Sequence, residues 1–229
     1  MNDHKPFPTN RILSPQERRL RNREEMSDAI LMAAREVIHQ EGAGALNLHE
    51  LARRVGLQTS SLYVYFSSKM AIYDALYALG ICKYQEELDR ILQTITDPWE
   101  ALQAVIERAM DFSVRNPELF QICFERPIPG FEPSKESMDE TDKLTTAMYT
   151  LLNRVMPAYA PGLIRNVPPA HGLFIAMWHG LIALQLANDP GVPVREGRFG
   201  RLIPEVMALF KTAWNHPTSS HPLPSVSDR

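Results

Sequence analysis

The sequence predicts an all-α protein of about nine helices, and two observations support this fold class. Apolar residues recur at steps of three and four over most of the 229 residues, whereas no alternating strand pattern, repeat or glycine-rich phosphate loop is found. Capping residues, prolines and glycines stand at the ends of these apolar segments. Hydrophobic residues make up 45% and charged residues 22%, the balance of a globular protein with a substantial core.

The first two helices are predicted by their apolar periodicity and by their ends. Residues 24–41 place an apolar stripe on one face, and Gly42 is suited to end that helix. Asn47 followed by Glu50 three residues later has the spacing of a capping box, and Gly56 ends the short apolar segment that follows. We therefore expect two helices joined by a short connection.

The remaining seven helices are predicted from similar start and stop signals. They are expected from Thr59 to Tyr65, from Ser67 or Ser68 to about Gln93, from Asp97, from Asn116, from a capping box at Ser137–Glu140 to near Pro157, from Pro168 and Pro169 to near Asn188, and from Arg201 to Trp214. The polar, proline-containing segment 216–229 is expected to be a disordered tail.

Charge is distributed unevenly along the chain. The formal net charge is −3, yet residues 1–23 contain six basic and only two acidic side chains. We interpret this segment as a flexible basic arm that suits a polyanion, with Arg18, Arg19, Arg21 and Arg23 following a phosphate backbone or entering a minor groove. The alternative is a solvated extension of the first helix, and the sequence does not decide between them.

Several classes of site and location are not indicated by the sequence. Cys82 and Cys123 lie far apart and form no metal-ligand spacing, so we expect reduced thiols, no metal and no cofactor. The N-terminus lacks the apolar run of a signal peptide. The most apolar segment, 173–187, is short and interrupted by polar residues, so no membrane association is expected. We therefore expect a cytoplasmic protein.

The segment "LHELARRVGLQTSSLYVYF" has the pattern of a helix-turn-helix motif. Its second helix presents Thr59, Ser60, Tyr63 and Tyr65 outward, and hydroxyl groups on such a helix reach phosphates and base edges. Lys69 adds a positive charge at the start of the next helix. The alternative is a packing corner with surface serines in a helical enzyme.

Residues 26–75 resemble the N-terminal domain of tetracycline-repressor (TetR) family transcriptional regulators. The resemblance lies in "LHELARRVGL", "SSLYVYF" and "SSKMAIYDAL", and the sequence "MWHGLIALQLAN" is similar to one C-terminal subclass of that family. It implies a DNA-binding domain over 24–68 and an effector-binding and dimerisation domain over 69–215. Gln58, which replaces the usual capping serine, joins the candidate DNA-binding residues.

The resemblance also implies an effector cavity among the C-terminal helices. Aromatic and methionine side chains there suit a mostly apolar small molecule. The candidate contacts are Tyr84, Leu102, Ile106, Met110, Phe120, Phe124, Met148, Leu152, Phe174 and Trp178. Ordinary core packing is the alternative for each, and His179 is either a structural or an effector-facing histidine.

A homodimer is predicted because one short recognition helix reads little DNA, whereas a two-fold dimer presents two. The eighth helix carries a stripe of small residues that allows another helix to approach closely, and the ninth has more apolar surface than one contact needs. The alternative is that these small residues only pack helices within one subunit. The candidate interface residues are Gly172, Ala176, Gly180, Ala183, Ala187, Val206 and Phe210.

The function predicted from these patterns is a ligand-responsive DNA-binding transcriptional regulator. Its partners would be a double-stranded operator, a small-molecule effector and a second copy of the chain. We expect a repressor that its effector releases from the operator. The alternative is a helical binding protein or enzyme without a DNA-binding role, but no catalytic grouping or cofactor motif is recognised in the sequence.

Overall fold

A computed structural model describes residues 14–125, 127–155 and 169–215, and these ranges contain helices and no strand. The helices are α1 (Pro15–Glu41), α2 (Leu48–Arg54), α3 (Thr59–Leu62), α4 (Lys69–Thr94), α5 (Pro98–Arg115), α6 (Pro117–Phe120), α7 (Lys135–Val155), α8 (Pro169–Asn188) and α9 (Ile203–Asn215). Short 3-10 turns lie at Ala43–Ala45 and Gly200–Leu202, and a π-helical turn lies at Gln121–Glu125. The predicted all-α class is confirmed.

The described residues divide into two compact units. The first contains residues 14–76 and 127–132, and the second contains 77–125, 133–155 and 169–215. The division falls inside α4, whereas the sequence suggested a boundary just before that helix. The predicted tail at 216–229 and the first thirteen residues of the predicted arm lie outside the described residues.

Helix α1 begins nine residues earlier than the sequence analysis predicted. The Ser14 hydroxyl accepts a hydrogen bond from the Glu17 N–H at 3.2 Å, and the Glu17 carboxylate accepts one from the Ser14 N–H at 2.7 Å. This capping box, with Pro15 in the first turn, starts the helix. The prediction of a flexible arm was therefore wrong for residues 15–23, which are helical.

Helix α7 also begins earlier than predicted. The hydroxyl of Ser134 accepts a hydrogen bond from the Ser137 N–H at 3.2 Å, so the helix starts at Lys135. Ser137 lies within the first turn, where its side chain is buried. The predicted capping box at Ser137–Glu140 was wrong because a nearer capping serine precedes it.

Other predicted helix ends are confirmed. Gly42 ends α1 with φ of 88°, a value that favours glycine. Asn47 caps α2 through its side-chain oxygen, which accepts from the His49 N–H at 2.8 Å. Ser68 caps α4 and Asp97 caps α5 in the same way. Each side chain accepts a hydrogen bond from the N–H of the third residue of its helix, at 3.1 Å for Ser68 and 2.8 Å for Asp97.

Tyr73 is the largest side chain at the centre of the first unit. It is fully buried, its hydroxyl donates to the Ala43 carbonyl, and its ring centroid lies 6.0 Å from that of Phe131. The side chain thereby joins α4 to the turn after α1 and to the segment 127–132. Apolar side chains of α1, α2 and α3 complete this core.

Helix α5 is central to the core of the second unit. Its residues Ala101, Leu102 and Met110 are fully buried, and the helix packs against α7, α8 and α9. Burying a Leu or Met side chain contributes about 1.5–3 kcal/mol, so this face makes a substantial contribution to the stability of the unit.

The connection between α8 and α9 is held by a buried polar side chain. The side-chain oxygen of Gln185 accepts hydrogen bonds from the N–H groups of Phe199 at 3.3 Å and Gly200 at 3.1 Å. Its amide nitrogen donates to the Asp189 carbonyl at 3.3 Å. Gly197 packs so closely that a β-carbon there would lie 2.0 Å from the Gln185 nitrogen. A larger residue at position 197 would therefore have to displace the Gln185 side chain from these hydrogen bonds.

No helix within the described ranges is both long enough and apolar enough to cross a membrane.

We expect Gln185→Leu to destabilise the second unit, because the N–H groups of Phe199 and Gly200 would lose their acceptor. Each unsatisfied buried group costs about 1–3 kcal/mol, so the free energy of unfolding should fall by about 2–4 kcal/mol. Urea unfolding followed by circular dichroism measures this. The matched variant Gln93→Leu changes an exposed glutamine of α4 and should shift the midpoint little. Equal midpoints for the two variants would contradict the assigned role of Gln185.

Candidate nucleic-acid interface and effector cavity

Helices α2 and α3 form a helix-turn-helix motif within the first unit. Gly56 turns the chain with φ of 71°, and the Leu57 N–H donates to the Ala52 carbonyl at 2.8 Å. Leu51 and Leu62 are 0% and 1% exposed, so they anchor the inner faces of the two helices. The outer face of α3 is therefore held in a defined position by apolar packing.

The predicted recognition residues lie on or beside this outer face. Gln58, Ser60 and Tyr63 are exposed, whereas Thr59 and Tyr65 are half-buried. Gln58 makes no side-chain capping hydrogen bond. Val64, which is not among the predicted recognition residues, also lies on this surface. Its side chain is 63% exposed beside Tyr63, which is 54% exposed, so the end of α3 presents an apolar as well as a hydroxyl-bearing surface.

The arginines of α2 are neutralised by nearby carboxylates. Glu50 bonds Arg53 at 2.8 Å and Arg54 at 2.9 Å, and these hydrogen bonds lower the pKa of Glu50 to about 2. Arg54 also lies 4.0 Å from Glu36 and 3.9 Å from Glu41. These ion pairs link α2 to α1 and leave little net positive charge on α2.

The basic residues at the start of α1 differ from one another in their contacts. Arg21 pairs with Glu25 at 3.3 Å, and Arg23 donates to the Val64 carbonyl at 3.2 Å. Arg18 and Arg19 are exposed, and their guanidinium groups form no ion pair with any described residue. The Arg23 contact ties this helical extension to the end of α3.

Lys69 is the first residue of α4 and is half-buried. Its ammonium group lies 5.7 Å from the centroid of the Tyr73 ring, within the range of a cation–π interaction. Its charge is unpaired by any carboxylate in the described part of the chain. The first unit thus concentrates its uncompensated positive charge on the start of α1 and on Lys69.

The second unit contains a cavity of about 270 Å³ enclosed by side chains of α4, α5, α7 and α8 and of the π-helical turn. Six of the predicted effector contacts line it, namely Tyr84, Ile106, Phe124, Met148, Phe174 and Trp178. The other four, Leu102, Met110, Phe120 and Leu152, are buried in the core and are not on the cavity wall. Their apolar periodicity reflects core packing instead.

Eleven further residues line the cavity that were not among the predicted effector contacts, including the charged residues Glu87 and Arg108. The additional lining residues are Glu87, Leu88, Ile91, Val105, Arg108, Ala109, Phe112, Leu144, Thr145, Tyr149 and Ile175. Arg108 was detectable in principle, because it stands three residues after Val105 and four before Phe112 on the same helical face. A charged residue on such an apolar face signals either an ion pair or a ligand.

An aromatic cluster surrounds His179 on the cavity wall. The imidazole centroid lies 4.2 Å from that of Trp178, 5.1 Å from that of Phe124 and 6.1 Å from that of Phe120. Burial lowers the pKa of His179, so the ring is neutral near pH 7. The π-helical turn places Phe124 in this cluster, and such turns are frequent at functional sites.

The buried hydroxyl group of the lining residue Tyr84 is already satisfied by a hydrogen bond. The hydroxyl groups of Tyr84 and Ser113 are hydrogen-bonded at 2.9 Å, and Ser113 donates to the Ala109 carbonyl at 2.7 Å. Burial raises the pKa of the Tyr84 hydroxyl, which therefore stays neutral. The described residues contain no group of three or more His, Cys, Asp or Glu side chains suited to a metal ion.

Comparison with known proteins assigns the first unit to a described family. Residues 30–76 match the model of bacterial regulatory proteins of the tetR family. The HTH-type transcriptional activator FasR of Mycolicibacterium smegmatis is 28% identical over 133 residues, which cover 58% of this chain and 61% of FasR. The nucleoid occlusion factor SlmA of Aliivibrio fischeri is 29% identical over 177 residues, covering 77% of this chain and 83% of SlmA.

The fold is also similar to that of solved structures. The transcriptional regulator FadR from Bacillus subtilis, solved in complex with stearoyl-CoA, superposes with a TM-score of 0.59 at 16% identity. The superposition covers 81% of this chain and 97% of FadR. At this identity the similarity concerns the fold alone.

Proposed function

The chain belongs to the TetR family of transcriptional regulators, and from this we propose that it binds a specific DNA operator under the control of a small-molecule effector. Members of this family regulate transcription and are not enzymes. The observation that carries the DNA-binding proposal is the outer face of α3. Ser60 on that face, and Tyr63 and Val64 directly after the helix, remain exposed although the motif has its own apolar core.

In the proposed complex, α3 lies in the major groove. Gln58, Thr59, Ser60, Tyr63 and Tyr65 supply contacts to base edges and phosphates, and the Val64 methyl groups suit a thymine methyl. The arginines of α2 are already paired with Glu50, so residues outside the motif are needed to contact the DNA phosphates. Contacts to phosphates are assigned to Arg18, Arg19, Arg21, Arg23 and Lys69.

The effector is proposed to occupy the cavity of the second unit. Its walls are mainly aliphatic and aromatic, with Met148 and Trp178 among them, and this composition suits a largely apolar ligand. His179 lies on the wall and is assigned an effector-facing role. FadR was solved with stearoyl-CoA, but its ligand is not transferred to this chain because the likeness concerns the fold alone.

We propose that the chain is a repressor that leaves its operator when the effector binds. The effector must then bind the free protein more tightly than the DNA-bound protein. The operator must weaken effector binding by the same factor by which the effector weakens operator binding. Activation is the second candidate, because the relative FasR is named a transcriptional activator.

The proposed regulator is a homodimer built on α8 and α9. Leu173, Leu184, Leu202 and Leu209 are 58%, 46%, 40% and 66% exposed on or beside these two helices. Such a group of exposed large apolar side chains is typical of an interaction surface.

Small residues on α8 support the same interface. A β-carbon at Gly180 would meet no atom within 4 Å, so space for a partner helix is open there. Gly172, Ala176, Ala183, Ala187 and Val206 complete the proposed surface. Phe210 was wrongly assigned to it, because that ring is 5% exposed and packs inside the unit at 5.2 Å from Phe174.

The function is tested by measuring operator binding and its release. The chain should shift DNA flanking its own gene in a gel, and an apolar ligand that binds the cavity should reverse the shift. Ala109→Trp places a large side chain on the cavity wall. This variant should bind the operator normally and lose the response. A variant that keeps the full response would place the effector elsewhere, and a chain that binds no DNA at all would exclude the regulator.

The phosphate contacts are tested by the salt dependence of operator affinity. Lys69→Ala and the double variant Arg18→Ala, Arg19→Ala should weaken binding to all DNA sequences. Each phosphate contact removed should reduce the slope of log affinity against log salt by about one unit. Tyr63→Ala should also weaken operator binding.

Arg53→Ala is the matched control for these variants. Arg53 is exposed on α2 but paired with Glu50, so its removal should leave the slope nearly unchanged. If Arg53→Ala reduces the salt slope and the double variant Arg18→Ala, Arg19→Ala does not, the proposed assignment of phosphate contacts to α1 rather than α2 is wrong.

The dimer is tested by sedimentation equilibrium at micromolar concentration. Gly180→Leu should shift the chain toward monomer or aggregate, because a leucine fills the space assigned to the partner helix. The same substitution at Gly44 is the control, since a β-carbon there also meets nothing within 4 Å but lies in the first unit. A wild-type chain that sediments as a monomer would exclude the proposed interface.

A further inference from the structure

Arg108 stands out among the residues that line the cavity. It lies on the same face of α5 as Val105 and Phe112, and all three contribute to the cavity wall. Its side chain is exposed, so the guanidinium group is at the solvent-accessible side of the cavity. The guanidinium is therefore hydrated rather than buried, and it places a permanent positive charge beside a mainly apolar wall.

The charged residues near Arg108 on α5 have other partners. Glu107 pairs with Arg195 at 3.4 Å, and Asp111 pairs with Arg115 at 2.5 Å. Arg108 forms neither an ion pair nor a side-chain hydrogen bond with any residue in the described ranges. Its fixed positive charge is therefore available to a ligand.

The only other ionised group on the described cavity wall is Glu87 of α4. Its carboxylate is bound by the guanidinium of Arg90 at 2.6 Å. That pair is internally compensated, and the neutral His179 adds no charge. The cavity wall together with Arg90 thus carries one excess positive charge, which is that of Arg108.

One more polar group accompanies Arg108 on the wall. The hydroxyl of Thr145 on α7 is half-buried and has no hydrogen-bond partner among the described residues. By contrast, the Tyr84 hydroxyl is bonded to Ser113. The cavity therefore combines an apolar interior, a fixed cation and a hydroxyl free to donate a hydrogen bond.

We propose that the effector is an amphiphilic anion, with its apolar chain or ring system in the cavity and its carboxylate or phosphate head bound by Arg108. This inference rests on the proposed effector function of the same cavity. A neutral ligand would gain no charge-assisted hydrogen bond from the guanidinium, and a cationic ligand would be repelled by it. The guanidinium group is also the side chain best suited to bidentate binding of a carboxylate or phosphate.

The cavity volume limits the apolar part of the ligand. About 270 Å³ is at the lower end of the ~300–1,000 Å³ found for small-molecule sites. A chain of medium length or a compact ring system fits this volume better than a long chain. Each methylene added to a linear tail should tighten binding about fourfold until the cavity is full.

The inference is tested by isothermal titration calorimetry of the full chain with ligands that share a ten-carbon tail and differ in the head group. The probes are decanoate, decyl phosphate, the decanoyl thioester of coenzyme A, decanol and decylamine. At least one anionic probe should bind about 10–100-fold more tightly than decanol, the range for hydrogen bonds to charged groups. Decylamine should bind more weakly than decanol.

Variants at Arg108 show whether this residue provides the selectivity. Arg108→Met should bring the affinity for the anionic probe down to that for decanol and leave decanol binding unchanged, whereas Arg108→Lys should retain part of the preference. Arg115→Met is the control, because Arg115 is on the same helix but is paired with Asp111 and does not line the cavity.

The outcomes separate this inference from the proposed function. If decanol and the anionic probes bind equally, or if Arg108→Met leaves the preference intact, the anionic head is excluded while an effector cavity remains. If no probe binds, the ligand class is excluded, although operator binding by the first unit is unaffected. Among the anions, tightest binding of the thioester identifies a carrier-bound acid, and tightest binding of decanoate identifies the free acid. Both results support the inference.

Discussion

Helix α5 has to bury one face in the core of the second unit while its neighbouring face borders a cavity. Leu102 and Met110 are completely removed from solvent, whereas Val105, Ala109 and Phe112 contribute to the cavity wall. The helix cannot rotate to cover the second face without exposing the first, because α7, α8 and α9 pack against it. The cavity is therefore a consequence of the way the core is packed, and the position of Arg108 follows from it.

In the first unit, the distribution of charge is the main constraint. The ion pairs between α1 and α2 place carboxylates beside the motif, and carboxylates weaken the attraction for a polyanion. Glu50 binds both arginines of α2, so the motif itself has little free positive charge. The helical extension that begins at Pro15 compensates for this, because Arg18 and Arg19 are kept away from those carboxylates. Capping by Ser14 thus matters to the proposed DNA surface as well as to the helix.

The chain connects the two units at several points. Leu76 and Tyr77 are successive residues of one continuous helix, α4, and belong to different units. The segment 127–132 belongs to the first unit, although the residues before and after it belong to the second. It begins two residues after the π-helical turn that carries Phe124, and its Phe131 packs on Tyr73. Helix α4, which contributes to the cavity wall in the second unit, therefore continues directly into the first unit.

Local chemistry in the sequence determined the helical class, the helix-turn-helix motif and most helix ends. Gly42, Asn47, Ser68 and Asp97 act within three or four residues of their own positions, so their roles follow from the sequence alone. Where a local prediction failed, as at Ser137, another local signal had been overlooked.

Only the tertiary structure decided which apolar residues face the cavity and which polar residues have partners. Leu102 and Ile106 belong to the same periodic pattern, yet one packs in the core and the other lines the cavity. Gln185 finds its hydrogen-bond partners up to fifteen residues away, and Arg108 is distinguished by the pairing of its neighbours. Periodicity identifies an apolar face, but the helices packed around that face determine what each side chain on it contacts.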